Sequence, residues 1–215
     1  MMRRRSSIVI RAEDHLGDSL GVIFLIEPEQ LGDAVIEKLR DYLGDHIEVL
    51  KAEVSRDKIE VEVECAAFRE ESDRLVEAAR GLRRNRLHRS AESTLGEALK
   101  LDPLNPHAMT ALGEVFQDRE EFSEAVAMLI RAREAAGNDT PQILAMLGAC
   151  CLKVERTASA IRYFEAVLAL DPRHFSARRS LLALGRKPAV ATAPKREPEE
   201  PIVAISNPRK PQLKH

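Results

Sequence analysis

Apolar and polar positions change rhythm along this chain, and the changes divide it into three parts. Residues 7–11 are β-rich, and Leu20 to Glu27, read as LGVIFLIE, is apolar enough for a strand buried on both faces. The polar stretch from Glu13 to Ser19 is the loop between them. Pro28 then sits where a first helical residue is favoured. Apolar residues follow at Leu31, Ala34, Val35, Leu39, Tyr42 and Leu43, and Gly44 ends the run, which predicts one amphipathic helix. Further on, Ile59, Val61, Val63 and Cys65 alternate with Glu60, Glu62 and Glu64, the period of a half-buried strand with an acidic outer face. Ile47 and Val49 fall out of phase with Leu50, Ala52 and Val54, so a bulge is expected near Val49 to Leu50, with Ser55 to Asp57 as the turn. The first part, residues 1–68, is thus predicted to be a small α+β module of order ββαββ.

From residue 72 the pattern repeats. Leu75-x2-Ala78-Ala79-x2-Leu82 aligns with Met109-x2-Leu112-Gly113-x2-Phe116 and with Leu144-x2-Leu147-Gly148-x2-Cys151, at offsets of 34 and 35 residues. A second block recurs in step: Ala91-x3-Leu95-x2-Ala98, Ala125-x3-Leu129-x2-Ala132 and Ala160-x3-Phe164-x2-Val167. Units one and three both close on Leu-Asp-Pro, at Leu101-Asp102-Pro103 and Leu170-Asp171-Pro172. This resembles the tetratricopeptide repeat, a helix pair of about 34 residues whose small residues let the two helices approach closely. The resemblance implies an all-α superhelix of three pairs, 72–105, 106–140 and 141–174, with a capping helix at 175–185. Unit one departs from the pattern with Ala79 in place of the usual glycine. Unit two ends in AAGND and carries the one-residue insertion.

The resemblance also implies a function, non-covalent binding of a partner in a concave groove lined by the first helix of each pair. In unit one the groove positions are Asp73, Val76, Arg80, Arg83 and Arg84. Unit two places His107, Thr110, Glu114, Gln117 and Asp118 there, and unit three Gln142, Ala145, Ala149, Leu152 and Lys153. Such a groove runs from basic, through acidic and polar, to apolar with one lysine, which suits a partner peptide or helix carrying acidic and apolar residues. Val76, Arg80 and Gln142 stand where a clamp for the C-terminal carboxylate of heat-shock chaperones would need Lys and Asn, so that ligand is not expected. A secretion or assembly chaperone is the alternative within binding, because three-repeat proteins of that class are similar.

Other chemistry finds weaker support. Gly17-Asp18-Ser19-Leu20 resembles the opening signature of GDSL-type esterases, and Asn138 with Asp171 and His174 would complete a nucleophile, oxyanion donor and base. The segment before Asn138 has helical periodicity, Asp171 belongs to the repeat, and the pattern predicts no strands after Cys65 to form the parallel sheet that such a site needs. Ser19 is therefore expected in a loop, and no enzyme activity is predicted. Cys150 and Cys151 fall on an inner helix where packed residues belong. Three cysteines and six histidines show no ligand spacing, and no glycine-rich phosphate loop is present, so no metal or cofactor is expected.

The basic run RGLRRNRLHRS, residues 80–90, is the one feature suited to nucleic acid, but it lacks aromatic residues for stacking, and the net charge of −2 gives no global attraction to polyanions. A membrane partner is not expected, since only Ile8 to Ile10 is apolar at the basic N-terminus and no segment approaches a span. The cysteine usage fits a reducing cytoplasm, and the preference for arginine over lysine suggests a bacterial one. Residues 186–215 hold six prolines and little to bury, so a disordered tail is predicted.

Overall fold

The computed structural model describes residues 3–15, 20, 33–44, 47–55, 57–66, 68–186 and 203–206. The chain divides into two compact units, Met1–Phe68 with Pro198–His215, and Arg69–Glu197.

Among the described residues, the first unit is a four-stranded antiparallel sheet of β1 (Arg3–Arg11), β2 (Ile47–Val54), β3 (Lys58–Ala66) and β4 (Val203–Ser206), in the order β1-β3-β2-β4, with one helix, α1 (Asp33–Leu43). One face is apolar: Ile8 pairs with Val61 and Ile10 with Ile59, and all four are buried. Val35, Ile36, Leu39 and Leu43 form the buried stripe of α1, and Gly44 at φ 94° ends it. The predicted bulge is present. Register shifts between Val49 and Lys51, so Leu50 opposes no residue, and Ile47, Val49, Ala52 and Val54 all remain on the buried side. The strand expected at Leu20 to Glu27 lies outside the described residues except for Leu20, which is buried.

Two stretches differ from expectation. Strand β1 starts at Arg3 rather than Ser7, because Arg3 to Ser6 continue the ladder opposite Ala66 to Val63. Within the segment whose composition predicts disorder, Val203–Ser206 is β4, antiparallel to the edge of β2 with Val54 opposite Val203. Val203 and Ile205 are β-branched, as strands favour, and an open strand edge presents unpaired backbone groups for such a segment to meet.

The described residues of the second unit form seven helices: α2 (Arg69–Arg84), α3 (His88–Leu101), α4 (Pro106–Asp118), α5 (Phe122–Ala136), α6 (Pro141–Lys153), α7 (Thr157–Leu170) and α8 (Phe175–Ala183). Glycine sets the closeness of the second and third pairs. A Cβ at Gly113 would lie 2.9 Å from Leu129 Cγ, and one at Gly148 would lie 2.7 Å from Phe164 Cε1. Each turn within a pair holds a non-glycine residue in the left-handed region: Arg86 at φ 61°, Glu120 at 64° and Glu155 at 60°. The core is uneven. A larger apolar cluster joins α4 to α8 through Met109, Leu129, Leu144, Leu147, Phe164 and Leu181, whereas the cluster under α2 and α3 is mainly alanine and valine with Leu95 and Leu112.

The insertion in unit two has a polar role. Gly137 at φ 68° caps α5 and turns the chain so that Asp139 reaches buried Arg133, with Nε to Oδ1 at 2.6 Å and Nη2 to Oδ2 at 3.2 Å. The Arg133 guanidinium also lies 5.9 Å from the Tyr163 ring centre, which ties the turn to α7.

Candidate functional site

The first helices of the three pairs, α2, α4 and α6, are linked side by side through their own side chains. Arg83 on α2 donates from Nη1 to Glu114 and from Nε to Asp118 Oδ2 at 2.7 Å, so one guanidinium bridges two carboxylates on α4. Gln117 on α4 hydrogen-bonds the Cys150 thiol on α6, and burial, the larger effect, pushes that thiol up to about 11. Cys150 is therefore protonated and unreactive near neutral pH. Cys151 is also buried.

The α2 to α4 junction is built further at its other end by Asn105, the N-cap of α4. Its side-chain oxygen accepts from the amides of His107 at 2.9 Å and Ala108 at 3.2 Å. Its Nδ2 donates to Ser72 Oγ and to Asp73 Oδ1, each at 2.9 Å, and Ser72 Oγ in turn donates to the Ala98 carbonyl at 2.9 Å. Local sequence explains the cap, since Asn before Pro at the first helical position is a favoured start. Arg119 adds a third link, from the end of α4 to Glu92 on α3.

The sequence-predicted groove residues separate accordingly. Arg84, His107, Gln142, Ala149 and Lys153 are exposed; Arg80, Thr110, Gln117 and Leu152 are half-buried. Arg80 pairs with Glu77 of its own helix, Thr110 Oγ1 donates to the Pro106 carbonyl at 2.7 Å, and Lys153 Nζ lies 5.7 Å from the Phe122 ring centre. Val76 does not line the face: it is 1% exposed and packs under Ala79 and Leu95, because its place on α2 turns toward α3. Arg83, Glu114 and Asp118 are brought together as an internal bridge, which reading each position separately could not reveal. The complementary signs one repeat apart were the available signal.

A pocket of roughly 460 Å³ opens at this end of the unit, lined by Arg83, Arg84, Arg86, His88 and Asp118. Arg86 and His88 lie in the turn and at the start of α3, outside the groove positions. The residues of the esterase reading within this unit serve helix ends: His174 caps α8, its Nδ1 accepting from the Ala177 amide at 3.3 Å, and Asp171 Oδ1 accepts from the Arg173 amide at 3.0 Å. Asn138 is exposed in the α5 to α6 turn, and Ser19 lies outside the described residues. Among the described residues no helix is long and apolar enough to cross a membrane.

A family model described as tetratricopeptide repeat matches residues 82–150. Over 86 residues, 40% of this chain, the sequence is 31% identical to tetratricopeptide repeat protein 1 of Schizosaccharomyces pombe. That match spans 8% of the yeast protein, so it speaks for the repeats alone. Among solved structures, the first TPR of Spaghetti (RPAP3) bound to the HSP90 peptide SRMEEVD is similar at a TM-score of 0.53 and 18% identity, over 55% of this chain and 94% of that one. The NMR structure of the first TPR domain of human RPAP3 gives 0.50 and 19%, over 54% and 90%. At these identities the structural likeness speaks for the fold.

Proposed function

We propose that this chain, a tetratricopeptide-repeat protein, is a non-enzymatic scaffold that holds a peptide or helix of a partner protein against the face of α2, α4 and α6. The observation that carries the reading is the graded character of that face. Exposed Arg84 stands at one end, His107 follows on α4, and Ala149 and half-buried Leu152 stand on α6, with Lys153 beside them. A partner segment with acidic residues followed by an apolar anchor complements that order. Arg83, Glu114 and Asp118 hold α2 and α4 together within that face, so recognition rests chiefly on Arg80, Arg84, His107, Thr110, Gln117, Gln142, Ala149, Leu152 and Lys153. A cytoplasmic setting belongs to the same proposal, and a secretion or assembly chaperone is the alternative to it.

The test compares capture by the full chain with capture by the triple variant His107→Ala, Gln142→Ala, Lys153→Ala, and by the control Lys100→Ala, Glu165→Ala on second helices. A partner found by mass spectrometry with wild type and control, and reduced about tenfold or more with the groove triple, supports the reading. Equal capture by all three proteins would overturn it, as would hydrolysis of short acyl esters that Ser19→Ala abolishes.

A further inference from the structure

The turn that joins α2 to α3 differs in charge from its two counterparts. Aligned on the left-handed residue, Arg86 stands where the other turns place Glu120 and Glu155. His88 and Arg89 then occupy the places of Phe122 and Ser123, and of Thr157 and Ala158. Helix α3 accordingly begins with two basic residues, no acidic residue in its first turn and no side-chain cap. A helix start carries partial positive charge, so the arginines of this turn oppose it unless an anion is nearby.

The pocket described above lies against this turn. Of its three arginines, Arg83 is already satisfied by Glu114 and Asp118. Arg84 and Arg86 are exposed and make no ion pair among the described residues, and His88 Nδ1 is buried without a hydrogen-bond partner. The lining therefore offers two uncommitted guanidinium forks on a wall whose third arginine is fixed in position. We propose that this pocket binds the dianionic phosphoryl group of a phosphorylated serine or threonine in the partner protein. The proposal rests on the groove reading for the source of that group, since Arg84 and Asp118 belong both to the pocket and to the groove face.

Charge and geometry select this ligand. A carboxylate fills one guanidinium fork with its two oxygens, whereas a phosphoryl group presents three acceptor oxygens and close to two negative charges to Arg84 and Arg86 together. Asp118 repels any anion in proportion to its charge, as the two free arginines attract it, so the net pull of two cations over one carboxylate doubles from a monoanion to a dianion. A continuous polyanion fits poorly, because Glu114 and Asp118 stand beside Arg83 and the lining holds no Phe, Tyr or Trp ring on which a base would stack.

The full chain is titrated with a degenerate peptide mixture fixed at a central phosphoserine or phosphothreonine, with its unphosphorylated twin, and with mixed-sequence single-stranded RNA. The expected result is binding of the phosphorylated mixture about tenfold or more above its twin, with each of Arg84→Ala and Arg86→Asn removing about tenfold. Asn keeps the left-handed backbone at position 86, Arg89→Ala serves as the nearby control, and circular dichroism checks the fold. Equal binding of the two peptide mixtures by wild type overturns the pocket. If the His107, Gln142, Lys153 triple still abolishes partner capture in that case, the groove reading stands alone. Tighter, steeply salt-dependent binding of RNA, weakened by Arg89→Ala as well, also overturns it in favour of a nucleic-acid surface.

Discussion

A methyl group added at Gly148 would sit 2.7 Å from a carbon of the Phe164 ring, closer than nonbonded carbons approach, and the stiff ring leaves it no room. Gly148→Ala is therefore expected to lower stability by about 1–3 kcal/mol in urea titration, even though alanine suits a helix better. Gly113→Ala should cost less, because the obstacle there is the branched end of Leu129. Gly81 and Gly96 are helical, and a methyl group at either would meet nothing within 4 Å, so alanine there should stabilise by about 0.5–1 kcal/mol. A rise in stability for Gly148→Ala would show that α6 and α7 are less closely packed than described. At this scale the two tight glycines were visible in sequence, since they recur one repeat apart among residues of fixed spacing. The buried place of Val76 was not, because a rule for repeat positions carries no information on how far α2 is rotated about its own axis.

Between elements, the Arg83 bridge is the clearest case of a predicted groove residue that also links two helices. With the guanidinium about one-third exposed, its loss should be modest: Arg83→Ala is expected to lower stability by about 1 kcal/mol or less. Arg83→Glu would place a third carboxylate beside Glu114 and Asp118 and cost more, and its deficit should shrink as salt screens the repulsion. Thermal unfolding of both variants at low and high salt checks this, and a deficit that is indifferent to salt would deny the bridge its electrostatic role. The helix pairs and the bulge at Leu50 were legible because each is written in the phase of apolar positions, which burial enforces. Ion pairs across helices are not so written. They depend on helix offsets and on long side chains choosing one rotamer, and so the pocket of Arg84, Arg86 and His88 emerged only when the turn and α2 were seen together. The strand at Val203–Ser206 was hidden for another reason, since four residues among prolines fall below the length at which alternation can be read.

For the whole molecule, the division into two units predicts that damage stays local. Deleting residues 203–206 should speed amide hydrogen exchange in β2 from Lys51 to Val54, and leave the unfolding of the helical unit unchanged. Unaltered exchange in β2 would mean that β4 contributes nothing to the sheet. The uneven core of the helical unit reaches further. Around the first pair the buried residues are mainly alanine and valine, with Leu95 and Leu112, reinforced by the polar links of Asn105, Arg83 and Arg119, whereas the later pairs and α8 share the larger aliphatic and aromatic cluster. In an array whose stability is summed over neighbours, such an imbalance gives unravelling a direction. Tension entering through the chain at Arg69 meets α2 before any other helix, and it meets the cluster with the smaller buried side chains. The first pair would peel away while the others hold, taking with it Arg84, Arg86 and His88 and one of the three helices of the proposed groove face. On the proposed groove reading, a pull arriving through Arg69 would then act as a release, letting go of a bound segment without unfolding the repeats that remain.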